Sequence, residues 1–163
     1  MDIPTQQAPI GIFDSGVGGL SVLRAIRAQL PNENLLYFAD QGHVPYGPRS
    51  LEEVRQFSEA ITNYLLEKGA KLIVVACNTA SAVALPALRE RFNLPVVGVI
   101  EPGARCAANS KNGRIGVIGT EGTIGSGRYE EAINALLPKA EVFSTACPLL
   151  VPCANGRLAG NES

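Results

Sequence analysis

Cys77 is the residue whose type and position most directly suggest chemistry. It ends an apolar run that begins at Leu72, and the residues after it, Asn78 to Ser81, are compatible with the start of a helix. Ligands of open parallel sheets bind outside the carboxyl ends of the strands, and a helix N-terminus offers free N–H groups and a positive dipole end. The helix end favours the thiolate, whereas burial would disfavour it. Cys77 is therefore a candidate nucleophile or base, and the alternative is a small buried apolar residue.

Small polar residues and glycines follow several of the predicted strands. Such residues let backbone N–H donors approach a carboxylate or phosphate closely, so their grouping at one sheet edge predicts a site for a small anionic ligand. Each loop taken alone is also typical of an ordinary turn. The loops are Asp14-Ser15-Gly16-Val17-Gly18-Gly19, Asp40 with Pro45-Tyr46-Gly47, Cys77-Asn78-Thr79, and Thr120-Glu121-Gly122-Thr123.

The first of these loops allows a second interpretation. Gly16 and Gly18 follow a strand, and Asp40 ends the next strand, as in a dinucleotide-binding fingerprint. However, Ser21 occupies the position of the third glycine, and Gly19 is out of register. The glycine loop therefore matches this fingerprint only in part.

The sequence has a single histidine, His43, which is relevant to two other kinds of site, a hydrolytic cysteine–histidine pair and a metal site. It lies in a loop near the predicted sheet edge, so it could pair with Cys77 in a hydrolytic site. One histidine and cysteines without CxxC spacing give no metal-site pattern, and in a reducing compartment the cysteines are expected to be free thiols. The four cysteines are Cys77, Cys106, Cys147 and Cys153.

The elements that position these residues alternate in type along the chain. Short aliphatic runs are separated by longer segments of helical period, which is typical of βα units around a parallel sheet. The fold class predicted is therefore α/β. The predicted strands are Ile10 to Phe13, Leu35 to Ala39, Leu72 to Ala76, Val96 to Val99, Arg114 to Ile118 and Glu141 to Thr145.

The segments between the strands contain signals for where helices are interrupted and where they end. Pro86 is expected to kink or restart the helix that follows Cys77, and Lys68-Gly69 is expected to end the helix between the second and third strands. That helix is predicted to be amphipathic and packed on the sheet, because apolar residues recur at helical spacing at Val54, Phe57, Ile61, Tyr64 and Leu65.

Composition narrows the class of protein. The 163 residues are 46% hydrophobic and 18% charged, with a formal net charge of -1. A nearly balanced charge favours neither nucleic acid nor a membrane surface as a partner. No apolar run approaches the roughly 20 residues that span a bilayer, and the first residues lack the pattern of a signal peptide. We therefore expect a cytoplasmic protein.

Taken together, the motifs resemble those of glutamate racemases, members of a cofactor-independent amino-acid racemase family that includes aspartate racemases. They occur in the family's order and at similar spacing over nearly the whole chain. The matching segments are Ile10 to Leu20, Pro45 to Gly47, Ala76 to Ser81, Gly119 to Ile124 and Cys147 to Pro152.

The resemblance implies a fold and a function. The family's fold has two α/β domains that face each other across the substrate, here residues 1–99 and an incomplete second domain over residues 100–163. The implied reaction is the interconversion of L- and D-glutamate, which supplies D-glutamate for peptidoglycan. The resemblance implies no cofactor and no metal. It implies glutamate as the small-molecule substrate and allows a homodimer.

The resemblance also implies residue roles. Cys77 would be the base that removes the α-proton of one enantiomer, and Asp14 would lie beside it, orienting the substrate ammonium or assisting the thiol. Hydrogen bonds to the two substrate carboxylates would come from Ser15, Tyr46, Gly47, Asn78, Thr79, Thr120 and Thr123.

Two departures from the family concern the acid/base groups on the second side of the reaction. The family's other acid/base is a cysteine in a Gly-Cys-Thr-His-Tyr-Pro-like segment, and the 163 residues do not contain it. A glutamate that the family tends to carry after the Leu149-Leu150-Val151-Pro152 segment is also missing where this chain reads Cys153-Ala154-Asn155-Gly156. We therefore expect the N-terminal part of a racemase, with impaired turnover and exposed apolar surface. The alternatives are an inactive glutamate-binding module and an aspartate racemase.

Overall fold

The computed structural model describes residues 7–149. In this part of the chain the strands are β1 (Ile10–Asp14), β2 (Leu35–Ala39), β3 (Leu72–Val75), β4 (Val96–Gly98), β5 (Arg114–Gly119) and β6 (Glu141–Ala146). The helices are α1 (Leu20–Gln29), α2 (Leu51–Glu67), α3 (Asn78–Val83), α4 (Leu85–Arg91), α5 (Ile100–Ala107), α6 (Glu121–Gly125) and α7 (Arg128–Leu136).

The strands form two parallel sheets. The first sheet has the order β2-β1-β3-β4, and the second pairs β5 with β6. Phe13 pairs with Val75 in the register between β1 and β3. Because the two strands end side by side, Asp14 and the segment leading to Cys77 leave the sheet at adjacent points. The predicted α/β class and the parallel arrangement are confirmed.

All six predicted strands are present, with ends that differ by at most one residue. β1 continues through Asp14, which pairs with Ala39 of β2. β3 stops at Val75, one residue before the predicted end, because the chain already turns toward the α3 N-cap at Cys77. Shifts of this size are typical of strand ends, where the last ladder pairs decide the boundary.

Apolar side chains cover both faces of the first sheet. On one face, Phe13 and Val75 pack with Val54 and Leu65 of α2 and with Leu88 of α4, and each of these five side chains is fully buried. On the other face, the buried residues Ile10, Ile12, Val74 and Ala76 pack against α1 through Val22, Leu23 and Ile26. The sheet is therefore a buried central layer, as expected for parallel strands joined by helices.

Helix α2 confirms the predicted crossover helix with one correction. A capping box between Ser50 and Glu53 begins it, and Gly69 follows its end with a φ of 83°. Tyr64 was expected on the buried face, but it is 42% exposed. Its ring packs edge-to-face on Phe38, with a centroid distance of 5.4 Å, so it covers the margin of the core instead.

The proline prediction is confirmed in the segment after Cys77. The chain forms two short helices there: α3 ends at Val83, and α4 begins at Leu85 with Pro86 in its first turn. Proline is tolerated at that position because the first N–H groups of a helix have no intrahelical acceptor.

The second sheet has its own small core. Ala104 of α5, Ile115 and Val117 of β5, and Ile133 of α7 are buried together on one face. On the opposite face Ile118 and Phe143 are 64% and 53% exposed. The first sheet ends with β4 and the second core begins with α5, which is compatible with a domain boundary near residues 99 and 100. That boundary stays a prediction.

None of the helices in the described residues is long and apolar enough to cross a bilayer.

Candidate active site

A cavity of about 540 Å³ lies between the carboxyl edge of the first sheet and helices α6 and α7. It is partly open to solvent. Most of the residues that the sequence singled out line it, from both sheets: Asp14, Ser15, Cys77, Asn78, Thr79, Thr120 and Thr123. The loops after β1 and β3 meet there because parallel strands of one sheet place their following loops at one edge. Thr120 and Thr123 instead follow β5 of the second sheet, so the expectation that all of these loops lie at one sheet edge is wrong.

Cys77 stands at the wall of the cavity as the N-cap residue of α3. Its Sγ accepts a hydrogen bond from the backbone N–H of Ala80, and the thiol donates to Ser15 Oγ. The sulfur lies 3.5 Å from the Ala80 nitrogen and 3.5 Å from the Ser15 oxygen. Only 5% of Cys77 is exposed. The sulfur is therefore held in a fixed position by one contact from its own helix and one from the glycine loop.

Burial decides the protonation of this thiol. It raises the pKa of Cys77 above the ordinary thiol value, and the negative charge of Asp14 acts in the same direction. Hydrogen bonds from the backbone N–H groups of Ala80 and Ser15 lower the pKa, but they do not outweigh burial. A thiol with a raised pKa keeps its proton at neutral pH, so Cys77 is a proton donor there and becomes a base when it is deprotonated.

Asp14 organises the glycine loop around its own carboxylate. Its Oδ2 accepts hydrogen bonds from the backbone N–H groups of Gly16 and Gly19, each at 3.1 Å. A Cβ atom at Gly19 would lie 2.7 Å from the Asp14 Cβ and 2.9 Å from that of Ala76. Two of the loop N–H groups thus bind Asp14 and are not free for a phosphate, which weakens the dinucleotide interpretation.

Three threonine hydroxyls form a cluster where the two sheets' loops meet. Thr120 Oγ1 lies 3.0 Å from Thr79 Oγ1 and 2.9 Å from Thr123 Oγ1, and the Thr79 and Thr123 oxygens are 3.4 Å apart. Thr120 also caps α6 by accepting from the Thr123 N–H. The hydroxyls can rotate to donate to an anion in the cavity, because each carries one donor and two lone pairs.

Asn78 has a partner that sequence reasoning missed. The hydroxyl of Tyr129 on α7 donates to Asn78 Oδ1 over 2.7 Å, and Tyr129 itself lines the cavity. Burial raises the pKa of Tyr129, so the hydroxyl stays protonated at neutral pH. No local motif marks Tyr129, because its contact joins residues 51 positions apart.

Tyr46 and Gly47 were predicted to contact a substrate, and the structure places them differently. Tyr46 is 1% exposed, and its hydroxyl donates to Asp40 Oδ2 over 2.6 Å, which together with burial raises its pKa. A Cβ atom at Gly47 would lie 3.2 Å from the Thr120 side chain. The two residues support the cavity from behind and do not form its wall. A direct role for them in binding stays a prediction.

His43 does not contact Cys77. Its Nδ1 lies 2.8 Å from Asp40 Oδ1, and its ring stacks on Phe57 with centroids 4.0 Å apart. The partners of the Cys77 sulfur in the described residues are Ser15 and Ala80. The hydrolytic cysteine–histidine pair is therefore not formed.

The remaining cysteines lie outside the cavity wall or outside the described residues. Cys106 is an exposed free thiol on α5, and Cys147 is a partly buried one after β6. Cys153 lies outside the described residues, and so does the rest of the Cys153-Ala154-Asn155-Gly156 segment, where the family tends to carry a glutamate.

Comparison with known proteins places this geometry in a family. The sequence profile of the Asp/Glu/hydantoin racemases matches residues 10–152, which is most of the chain. The chain belongs to the Asp/Glu/hydantoin racemase family. Among curated members, the glutamate racemase of Geobacter metallireducens is 55% identical over 154 residues, which cover 94% of this chain and 57% of that protein.

Solved structures of family members agree with the fold. A glutamate racemase isoform from Bacillus anthracis superposes with a TM-score of 0.90 at 48% identity, covering 93% of this chain and 57% of that one. The Francisella tularensis glutamate racemase, solved with D-glutamate, gives a TM-score of 0.85 at 36% identity, covering 97% of this chain and 60% of that one. This racemase-family chain therefore spans little more than half the length of the relatives it matches.

Proposed function

We propose that this chain carries one side of a glutamate racemase site, in which Cys77 exchanges the α-proton of glutamate without a cofactor. The observation that carries the proposal is the position of the Cys77 sulfur, fixed at the wall of a 540 Å³ cavity beside Asp14. The glutamate racemases that match the chain at 48–55% identity support the choice of reaction.

Binding of the substrate would use the donors around the cavity. The threonine cluster and the Asn78 amide offer hydrogen bonds to carboxylates, and Asp14 offers a negative charge to the ammonium group. A site that combines these groups suits a zwitterion with an additional carboxylate. The D-glutamate bound in the Francisella tularensis relative supports glutamate as that ligand.

The chemical step is a proton transfer at Cα. The Cys77 thiolate takes the α-proton to become a thiol while the C–H electron pair remains on the substrate as a carbanion, and the reverse transfer restores both groups. A single thiol returns the proton to the face from which it came. Inversion therefore requires a second acid/base on the opposite face, which we propose the whole protein supplies.

The setting proposed for this activity is the cytoplasm, where the product D-glutamate would enter peptidoglycan synthesis. A homodimer is part of the same proposal.

The experiment follows α-proton exchange of glutamate in D₂O by ¹H NMR. Replacing Cys77 by Ser should abolish exchange but leave glutamate affinity within roughly tenfold, or about 1.4 kcal/mol, because the cavity keeps its shape. Cys106→Ser is the matched control, since that thiol is exposed and outside the cavity, and it should exchange like the parent chain. Exchange that persists in Cys77→Ser would refute the proposal.

One observation favours a second candidate, a glutamate-binding module without turnover. Cys77 is 5% exposed and its thiol donates to Ser15 Oγ, and burial raises its pKa, so it can line a binding site without acting as a base. Stoichiometric glutamate binding by a folded monomer, with no deuterium entering the α-position at any pH, would support this candidate.

A further inference from the structure

The contact between Tyr129 and Asn78 joins the two halves of the cavity. Asn78 follows Cys77 at the carboxyl edge of the first sheet, and Tyr129 belongs to α7 beside the second sheet. Their side chains meet over 2.7 Å, with the tyrosine hydroxyl as donor and Asn78 Oδ1 as acceptor. Both residues line the cavity.

This contact determines what Asn78 can offer to a ligand. A side-chain amide has one acceptor oxygen and one donor nitrogen, and in isolation it can present either. The Tyr129 hydroxyl occupies one lone pair of Oδ1 and fixes the orientation of the amide, which leaves the Nδ2 group, a donor only, for a ligand. A donor at this position is suited to a carboxylate.

We propose that Tyr129 is a positioning residue that fixes the Asn78 amide so that Nδ2 donates to a carboxylate of the bound amino acid. The inference rests on the proposed function, since it assigns the orientation of one binding group in that site.

The ring of Tyr129 is itself held in place. It packs against the core formed by Ala104, Ile115, Val117 and Ile133. It also lies against Gly103, where a Cβ atom would be 3.1 Å from Tyr129 Cε1 and 3.2 Å from its hydroxyl oxygen. The hydroxyl is thus presented to Asn78 from a packed support, which is what a positioning role requires.

The test is a double-mutant cycle on glutamate affinity, measured by calorimetry on the 163-residue chain. Tyr129→Phe removes only the hydroxyl, and it should weaken L-glutamate binding about tenfold, equivalent to about 1.4 kcal/mol. In a chain that already carries Asn78→Ala, the same change should alter affinity less than about twofold, because the group that Tyr129 orients is gone. Tyr64→Phe, at an exposed tyrosine on α2, is the matched control and should bind like the parent.

Gly103→Ala provides an independent variant if Tyr129→Phe lowers stability. The added methyl group displaces the tyrosine ring without removing its hydroxyl, so the loss of affinity should again depend on Asn78. Thermal melts of each variant separate loss of fold from loss of binding.

The outcomes distinguish this inference from the function on which it rests. Equal affinity in the parent and in Tyr129→Phe, or a loss that is the same with and without Asn78, would overturn the positioning role and leave the proposed function intact. A folded parent chain that binds no glutamate would overturn both.

Discussion

At the scale of single residues, the environment of Cys77 combines two opposing effects. The N-cap position and the Ala80 N–H favour a thiolate, while burial and the charge of Asp14 favour the neutral thiol. Burial is the larger effect. A buried thiol with a neighbouring carboxylate suits proton transfer, because a substrate that brings a positive ammonium to Asp14 would remove part of the cause that holds the thiol protonated.

The raised pKa of Cys77 predicts how stability depends on pH. A group whose pKa is higher in the folded than in the unfolded protein stabilises the fold at low pH, and this contribution is lost as pH rises through the folded-state pKa. Free thiols ionise near pH 8.5, so above about that value ionisation of the Cys77 thiol lowers the free energy of the unfolded parent. The parent's free energy of unfolding should therefore fall more steeply with pH than that of Cys77→Ser.

Urea unfolding at a series of pH values from neutral to alkaline measures this difference. Cys106→Ser is the control, because its thiol is exposed in both states. Parallel pH profiles for the parent and Cys77→Ser would show that burial does not shift the Cys77 pKa.

At the scale of elements, the loop between β1 and α1 depends on the absence of a side chain at Gly19. A Cβ atom there would come within 2.7–2.9 Å of Asp14, Ala76 and Tyr37. Gly19→Ala should therefore destabilise the protein by about 1–3 kcal/mol, the usual cost of overpacking, and displace Asp14 from the cavity. Thermal or urea unfolding measures the loss.

Gly125→Ala on α6 is the matched control for that change. A Cβ atom at Gly125 would contact nothing within 4 Å, and its φ is not positive. This variant should be neutral or more stable, by about 0.4–1 kcal/mol, because alanine restricts the unfolded chain. Equal effects of the two substitutions would contradict the close packing described for Gly19.

Much of this element-scale structure was predictable from the sequence. The strand pattern placed Asp14, Cys77 and Thr120 directly after three strands, and parallel topology brings Asp14 and Cys77 to one edge of the first sheet. Thr120 follows a strand of the second sheet, so its place in the cavity could not be derived from that rule. Tyr129 could not be found this way, because its contact with Asn78 depends on packing between α7 and the first residue of α3. The interior position of Tyr46 was hidden for a related reason: a Pro-Tyr-Gly turn gives no sign that Asp40 binds the hydroxyl.

At the scale of the whole molecule, one face of the β5–β6 sheet leaves large apolar side chains exposed in the described structure. Ile118 and Phe143 lie exposed on it, whereas parallel sheets are usually buried on both faces. The net charge of -1 provides little repulsion between copies. The chain should therefore self-associate as its concentration rises.

Sedimentation velocity over a range of concentrations tests this expectation. Phe143→Thr keeps a residue that favours strands but removes most of the apolar area, so it should shift the chain toward monomer. Leu51→Ser, at an isolated exposed leucine on α2, is the control and should associate like the parent. A parent chain that stays monomeric at all concentrations would contradict the prediction.

The central claim, that Cys77 exchanges the α-proton from one face of glutamate, is tested most directly by α-deuteration of L- and D-glutamate offered separately in D₂O. The account predicts that one enantiomer exchanges at least about tenfold faster than the other, a difference of about 1.4 kcal/mol, and that Cys77→Ser removes this exchange. Equal exchange of both enantiomers, or bound glutamate that never exchanges, would contradict it.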